Sequence, residues 1–283
     1  MRFIHISSED SFGSQGQQSQ YFSEACTTLG LEYVRIIDTK CTLRDYLALG
    51  DTSRDAVYRG ALSKKAHSIE KAVVKSDTLT NYYDNNLVFT GKASSTDILK
   101  QNNLPYISDI PFLPVNKRDA LEFPKQLGGF PLILKVMGGM EGVGVIKVDS
   151  IESFNSVSDY IKTDRKLTVR VMKYVEHKYF ARVVVVGGEV VTSTTYMAPL
   201  GDFRANARGP REEEGGTYTP PVEVIRDSVT FVQKLGVKSA GVDVLLSDDA
   251  YYFAEANAPF NFAETQKMTG IDIARKMIEA IIK

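Results

Sequence analysis

The sequence predicts an α+β protein in which a parallel α/β domain at the N-terminus precedes a β-rich remainder. In the first part, apolar runs at residues 1–6, 31–37 and 55–60 alternate with helical patterns, and this alternation favours a parallel sheet. From residue 131 onward β-rich runs follow one another closely, at residues 131–136, 143–148, 167–175, 181–186 and 189–196. The rear part is therefore predicted to be antiparallel.

The N-terminal helices show clear periodicity. Tyr21, Phe22, Ala25 and Leu29 recur at helical spacing after the first strand, and Gly30 is typical of a helix end. A further strand-like run and two helical stretches complete this part, at residues 86–91, about 61–76 and 93–103.

The β-rich part contains a hairpin signal and three helical patterns. Gly187-Gly188 between two apolar runs is typical of a tight hairpin turn. The predicted helices lie at residues 151–162, 222–235 and 271–282, and two more strand-like runs lie at 240–246 and 252–257.

Bulk composition excludes several classes of protein. The 283 residues are 43% hydrophobic and carry a formal charge of −1, so no global field attracts nucleic acid or membrane. No apolar run approaches the roughly 20 residues of a membrane span, and the N-terminus turns polar too early for a signal peptide. Cys26 and Cys41 are too few for a disulfide framework. We therefore expect a cytoplasmic protein without nucleic-acid or membrane partners.

The most informative segment holds three metal-type ligands on two strand-like runs. Asp243 lies on the first run, and Glu255 and Asn257 lie on the second. Residues two apart on a strand point to the same face, and oxygen ligands of this kind suit Mg²⁺ together with phosphate oxygens. The alternative is a strand pair with incidental acids near its ends.

A lysine and a glycine-rich loop follow another apolar strand. Lys135 precedes the loop at residues 138–144, which includes Gly139, Glu141, Gly142 and Gly144. Such loops let backbone N–H groups approach phosphates. The loop is neither a Walker A motif nor a dinucleotide fingerprint, because no G-K-[ST] closes it and a strand follows it. A flexible flap over a nucleotide and a plain hairpin turn are both compatible with this pattern.

Several basic residues are candidates for contacts with anions. Arg204, Asn206 and Arg208 alternate in the long aperiodic stretch 197–221, and long loops in compact domains tend to be functional or disordered. We favour function for Arg204 and Asn206 over a solvated loop. Arg182 could meet a phosphate or carboxylate or form a structural ion pair, and Lys92 could reach phosphate or be solvated.

Taken in order, these pieces resemble the ATP-grasp superfamily. They look most like the RimK-like carboxylate–amine ligases, which include glutamate ligases acting on ribosomal protein and LysX-like ligases acting on carrier proteins. The resemblance runs from about Lys92 to Lys283 through the strand and loop at 130–144, MKYV at 172–175, the hairpin at 181–191, GDFRANARG at 201–209, AGVDVLL at 240–246, EAN at 255–257 and TGIDIARKMI at 269–278.

The resemblance implies an ATP-grasp fold, in which two α+β subdomains clasp ATP behind an N-terminal α/β domain. The implied domains are residues 1–91, 92–171 and 172–283. It also implies that a carboxylate attacks the γ-phosphate of ATP to give an acylphosphate and ADP, after which an amine displaces phosphate and leaves an amide. The substrates would be small molecules, peptides or carrier proteins. Similar ligases are commonly dimers or tetramers, so a homo-oligomer is compatible with it.

The resemblance further implies roles for the candidate residues. Asp243, Glu255 and Asn257 would hold Mg²⁺, with two ions bound and Mn²⁺ able to substitute. The nucleotide would be bound by Lys92, Lys135, the 138–144 flap and the backbone of Lys173, Tyr174 and Val175. The transferred phosphoryl group would be steadied by Arg204 and Asn206, with Arg182 assisting or binding the acid.

This chain departs from the family pattern at several positions. Lys173 stands where Glu is common, Met140 where Ser or Thr is common, and Phe180 where an acidic residue is usual. After Asn257 the chain also differs, and we expect residues 258–265 to influence the choice of acceptor. Two alternatives stay open: a kinase-like phosphotransferase, and a nucleotide-binding module without catalysis.

Overall fold

The part of the chain that the structure describes forms three sheets with helices packed against them. The structure is a computed structural model and describes residues 1–9, 14–85, 95–112, 122–136, 142–164, 167–177, 179–204, 210 and 215–283. The predicted strand at 86–91, together with Lys92, lies outside the described residues.

The N-terminal sheet is fully parallel, with strand order β2-β1-β3-β4. Its strands are β1 (Arg2–Ser7), β2 (Glu32–Ile37), β3 (Ala56–Arg59) and β4 (Leu79–Thr80). The connecting helices are α1 (Ser14–Leu29), α2 (Leu43–Ala48) and α3 (Lys64–Val73). The predicted parallel α/β domain is confirmed.

The central sheet is antiparallel, with strand order β5-β8-β6-β7. Its strands are β5 (Asp109–Phe112), β6 (Leu132–Val136), β7 (Val145–Val148) and β8 (Val169–Lys173), and its helices are α4 (Ser95–Gln101), α5 (Glu122–Leu127) and α6 (Ile151–Ile161). Leu132, Leu134 and Val171 are fully buried against Phe154 of α6. One face of this sheet is thereby covered, while residues at its other face line a cleft.

The third sheet is also antiparallel, with strand order β11-β10-β9-β12-β13. Its strands are β9 (Tyr179–Val186), β10 (Glu189–Tyr196), β11 (Gly216–Thr217), β12 (Ser239–Leu246) and β13 (Tyr251–Asn257), and its helices are α7 (Val222–Lys234), α8 (Ala263–Thr269) and α9 (Ile273–Ile282). Gly187 and Gly188 have φ of 61° and 86°, as tight hairpin turns require. The predicted antiparallel rear part is confirmed.

The last helix returns to the N-terminal domain. α9 packs against α1, and Met277 and Ile278 share one buried cluster with Phe3 and Phe22. Phe262, just before α8, contacts Phe22 with ring centroids 5.2 Å apart. The rear of the chain therefore joins the N-terminal sheet to the sheet that carries the predicted metal ligands.

Local sequence explains where several helices begin and end. Ser63 and Ser150 cap α3 and α6 by accepting N–H groups of the first turn, and Asp272 does the same for α9. Gly270 ends α8 with a left-handed φ of 70°. Sequence reasoning missed short elements without periodicity, namely α2, α5, α8, β4, β5 and β11.

The implied division into three domains stays a prediction, and its second boundary, after residue 171, falls inside β8. Among the helices in the described part of the chain, none is long and apolar enough to cross a membrane.

Candidate active site

A cleft that is open to solvent lies between the central sheet and the third sheet. The central sheet lines it with Ile133, Lys135, Val145 and Met172, and the third sheet with Phe180, Tyr196, Asp243, Leu245 and Glu255. Sequence-predicted residues from distant parts of the chain thus share one cavity.

Strand register brings the three predicted metal ligands together. Asp243 on β12 pairs with Glu255 on β13, and Asn257 points to the same face as Glu255. The Asn257 amide nitrogen donates to Asp243 Oδ2 at 3.1 Å and to Glu255 Oε1 at 3.2 Å. The three side chains form one cluster, of which Asp243 and Glu255 line the cleft, although metal ligation itself stays a prediction.

Each carboxylate of this cluster has a cationic partner. Arg182 donates Nε to Asp243 Oδ1 at 2.5 Å and Nη2 to Oδ2 at 3.1 Å, while Lys135 Nζ lies 3.3 Å from Glu255 Oε2. Burial opposes the charge of Arg182, but the charge and hydrogen bonds of Asp243 hold the pKa of Arg182 above its ordinary value. Arg182 therefore forms an ion pair with Asp243, and Lys135 lies beside Glu255 in the same cluster.

The donor set fits a hard divalent cation. A carboxylate oxygen has two lone pairs, so Asp243 and Glu255 can accept the hydrogen bonds above and still face a cation. Among the described residues no group of three or more His, Cys, Asp or Glu side chains is suitably placed for a metal, so the cluster offers two carboxylates and an amide. Mg²⁺ commonly binds through one or two carboxylates plus substrate phosphates, which matches this count.

Residues 172–175, called the hinge below, line the cleft at the end of β8. The Lys173 backbone N–H donates to Ser108 O at 2.9 Å, which ties the hinge to the start of β5. Lys147 Nζ lies 4.2 Å from the centroid of the Tyr174 ring, a cation–π distance. These contacts hold the hinge in place, and Tyr174 and Val175 line the cleft from it.

Aromatic side chains form a wall of the cleft, and of these only Tyr174 was assigned as a site residue from the sequence. His177 meets Phe180 edge-on at 4.3 Å, and Phe180 stacks on Tyr196 with ring centroids 5.9 Å apart and planes 13° apart. Tyr174 contacts Phe203 at 6.2 Å. Burial lowers the pKa of His177 and raises the pKa of Tyr196. The position of Phe180 could have been predicted from the sequence. It lies two residues before Arg182 on a strand, so the two side chains point to the same face.

Arg204 lies at the cleft mouth, held by Asp202. Asp202 accepts from Arg204 Nε at 3.0 Å and Nη2 at 2.7 Å, and also from the backbone N–H groups of Phe203 and Arg204. Arg204 Nη1 lies 3.4 Å from the carbonyl oxygen of Gly142. The hydrogen bonds from Arg204 lower the pKa of Asp202 to about 2. Asn206, the other predicted contact to the phosphoryl group, lies outside the described residues.

The described part of the glycine-rich loop is a hairpin connection between β6 and β7. Gly142 and Gly144 have φ of 75° and 81°, and a Cβ on Gly144 would lie 3.0 Å from Val136. The structure does not describe Gly139 or Glu141. The hairpin geometry is established, and the role of the loop as a nucleotide flap stays a prediction.

The segment after the predicted metal ligands consists mainly of buried side chains that pack against the N-terminal domain. Phe260 and Phe262 are buried in the cluster shared with the N-terminal domain. Asn261 is exposed and accepts a hydrogen bond from Gln18 Nε2 at 2.9 Å. Within residues 258–265 only Asn261 and Glu264 are exposed. Of the segment expected to influence the choice of acceptor, these two side chains are therefore the remaining candidates.

Comparisons with known sequences agree with this geometry. A family model described as RimK-like ATP-grasp domain matches residues 90–281. A ribosomal protein bS6–L-glutamate ligase from Salmonella paratyphi B is 32% identical over 165 residues, covering 58% of this chain and 54% of that protein. The chain thus spans about half the length of the curated relatives it matches.

Solved structures share the fold over the full length of the chain. The ATP-grasp ligase PsnB, complexed with a minimal precursor, has a TM-score of 0.75 at 17% identity, covering 100% of this chain and 99% of that one. A D-alanine–D-alanine ligase from Bacillus anthracis has a TM-score of 0.70 at 17% identity, covering 100% and 96%. These similarities confirm the predicted ATP-grasp fold.

Proposed function

Because the chain belongs to the RimK-like ATP-grasp domain family, we propose that it is an ATP-dependent carboxylate–amine ligase. The observation that carries the proposal is the cluster of Asp243, Glu255 and Asn257 at the cleft, with Arg182 and Lys135 beside it. Oxygen ligands and cations at one end of a cleft suit the phosphates of a nucleotide.

The proposed reaction has two steps. A carboxylate oxygen of the acid attacks the γ-phosphorus of ATP, the bond from that phosphorus to the β–γ bridging oxygen breaks, and ADP leaves. The nitrogen of the amine then attacks the acyl carbon, the C–O bond to phosphate breaks, and the nitrogen loses a proton. The products are an amide, ADP and phosphate.

Asp243, Glu255 and Asn257 are the proposed metal ligands. Bound Mg²⁺ would neutralise charge on the β- and γ-phosphate oxygens; we propose two ions, with Mn²⁺ able to replace them. The Asn257 amide presents its nitrogen to both carboxylates, so binding a cation requires its oxygen instead, which rotation of the amide supplies.

Cationic side chains position the reacting groups. Lys135 is only 27% exposed and contacts Glu255, so it can exchange this carboxylate for a phosphate oxygen without leaving the cleft. Arg204, aimed by Asp202, faces the same cleft, where its charge would steady the transferred phosphoryl group. Phosphoryl transfer depends mainly on such positioning and charge neutralisation. Lys92 is proposed to contact the nucleotide, and Asn206 is proposed to steady the transferred phosphoryl group together with Arg204.

The hinge is the proposed adenine site. Backbone groups of Lys173 to Val175 would meet the base, and Tyr174 and Val175 line the cleft with apolar surface. Purine rings bind well to apolar walls with a few placed polar groups.

The proposed amine acceptor is an amino acid or a peptide or carrier-protein substrate. One relative is named for joining L-glutamate to ribosomal protein bS6, and PsnB was solved with a minimal precursor. Asn261 and Glu264 are the exposed groups just beyond the metal cluster that would contribute to this choice.

The test is ADP release with pooled acids and amines, with products identified by mass spectrometry. A ligase requires both pools and leaves phosphate free. ADP release with one pool and phosphate on the product would indicate a phosphotransferase, and ATP binding without turnover would indicate a module without catalysis. Glu255→Gln should abolish release, whereas Asp249→Ala, in the exposed turn between the same two strands, should release ADP at the wild-type rate.

A further inference from the structure

Phe203 lines the cleft next to Arg204, and its ring contacts the hinge. The centroids of the Phe203 and Tyr174 rings lie 6.2 Å apart, with the ring planes at 79°, an edge-to-face geometry that aromatic pairs favour. Phe203 is half-buried. Because the ring is joined to the backbone through one Cβ, holding the ring also restricts where the backbone of residue 203 can lie relative to the hinge.

Asp202 ties that backbone to the Arg204 side chain. Its Oδ1 accepts from the backbone N–H of Phe203 at 2.7 Å and from that of Arg204 at 2.8 Å. The same carboxylate accepts from Arg204 Nε at 3.0 Å and Nη2 at 2.7 Å. Residues 202–204 are therefore one hydrogen-bonded segment, and the place of the guanidinium in the cleft depends on what holds this segment as a whole.

The segment contacts both the glycine-rich hairpin and the hinge. Arg204 Nη1 lies 3.4 Å from the carbonyl oxygen of Gly142, a distance at which a hydrogen bond is weak. Tyr174 is itself held, because Lys147 Nζ lies 4.2 Å from the centroid of its ring. The contact between Tyr174 and Phe203 thus joins the segment to a part of the protein that is fixed from the central sheet.

We propose that Phe203 is a positioning residue, which holds Arg204 in place in the cleft through its ring contact with Tyr174. The action of Arg204 on the transferred phosphoryl group rests on the proposed function, whereas the positioning rests on the contacts of residues 202–204. Since the hinge is the proposed adenine site, the contact also sets the distance between the bound base and the guanidinium.

The first test needs no substrate. Phenylglyoxal modifies accessible arginine side chains, and peptide mapping by mass spectrometry gives the rate of modification at Arg204. Phe203→Leu should be modified there about five times faster than wild type, as expected for loss of one aromatic contact. Phe203→Tyr, which keeps the ring, and the control Tyr160→Leu, whose ring is 77% exposed on α6, should react at the wild-type rate. Arg275 on α9, with 48% of its side chain exposed, should react equally in all variants.

A double-mutant cycle shows whether the contact itself is responsible. Tyr174→Leu should accelerate modification of Arg204 as much as Phe203→Leu does. The double variant should react no faster than either single variant, because two residues that act through one contact are not additive. A wild-type rate in either single variant, or additive effects in the double variant, would overturn the proposal.

A second measurement separates the positioning role from the ligase function. With an acid and an amine that support ADP release, Phe203→Leu should lower kcat about fivefold and leave KM for ATP unchanged, and Phe203→Tyr should restore kcat. A raised KM for ATP at unchanged kcat would assign Phe203 to the wall of the base site and overturn its positioning role. If no substrates support release while modification of Arg204 still depends on the contact, the ligase proposal fails and the positioning role stands.

Discussion

Arg182 on β9 and Asp243 on β12 face each other in neighbouring antiparallel strands and are joined by two hydrogen bonds of 2.5 and 3.1 Å. Their side chains are only 18% and 13% exposed. Asp243 therefore has a structural task besides its proposed role as a metal ligand, because it neutralises a largely buried guanidinium. Glu255 differs, since its partner Lys135 has more contact with solvent.

Asp243→Ala should lose ADP release and also lower the free energy of unfolding by roughly 3 kcal/mol, because the variant leaves Arg182 charged and unpaired. Glu255→Gln should lose ADP release at a cost below about 1 kcal/mol, because Lys135 can turn to solvent. Urea unfolding and an ADP assay measure the two effects. Equal stability of the two variants would contradict the buried-pair interpretation, and the exposed Asp249→Ala variant controls for loss of an acid.

Gly241 makes room for the same pair. A Cβ at this position would lie 2.9 Å from Phe260 Cδ2 and 3.1 Å from Cδ and Nη1 of Arg182. Gly241→Ala should therefore displace Arg182, reduce ADP release at least tenfold and destabilise the protein by about 1–3 kcal/mol, the usual cost of overpacking. Gly216→Ala is the matched control in the same sheet, because nothing lies within 4 Å of its added Cβ. Wild-type turnover in Gly241→Ala would show that the guanidinium position is not critical.

Much of this site follows from local sequence rules. Alternation along strands places Glu255 and Asn257 on one face, and the two-residue turn at Gly187-Gly188 predicts that β9 and β10 pair. Both features need only the period of a strand and the geometry of a turn. The meeting of Asp243 with Arg182 could not be predicted this way, because it depends on the pairing of β9 with β12 across a long insertion.

The aromatic wall shows a second limit. Counting outward from the hairpin turn would pair Tyr196 with Tyr179, but an irregularity between Val190 and Thr192 shifts the register by one residue and pairs it with Phe180. A one-residue shift moves side chains to the other face of a sheet. Since the irregularity has no clear sequence signal, the position of Tyr196 in the cleft emerges only from the structure.

Asp202 should act through Arg204. Asp202→Asn removes the charge that holds both Nε and Nη2, so Arg204 loses its fixed orientation and kcat should fall about tenfold, as for the loss of one charged hydrogen bond. Unfolding free energy should change by less than about 0.5 kcal/mol, since the pair is partly exposed. Steady-state kinetics and urea unfolding test both. A raised KM for ATP with unchanged kcat would indicate a role in nucleotide binding instead.

The pKa of Asp202, about 2, also predicts a pH dependence with a definite sign. Because the folded-state pKa is below the unfolded value, the pair stabilises the protein above about pH 4. That contribution is lost only as the pH falls towards 2. Titration of Asp202 should therefore not change kcat between pH 6 and 8. If kcat does rise with an apparent pKa in this range, the titrating group is a different residue.

His5 should make stability depend on pH near neutrality. The ring is fully buried in β1, its Nδ1 lies 3.0 Å from the Tyr33 hydroxyl, and it packs edge-on against Phe22. Burial, aided by the charge of Arg35, lowers the pKa of His5 to about 3. The unfolded chain binds the proton more readily, so stability is full above about pH 6.5 and falls as the pH drops from there towards 3, by up to about 1.4 kcal/mol per pH unit.

Urea unfolding of the wild type between pH 7.5 and 4.5 measures this slope. His5→Gln keeps a polar side chain that does not titrate in this range, so its stability should vary less with pH even if its stability at pH 7.5 is lower. His67→Gln is the control, because His67 is only half-buried on α3 and should keep most of the wild-type slope. If His5→Gln follows the wild-type curve, the acid sensitivity comes from other titrating groups, and His5 is not its source.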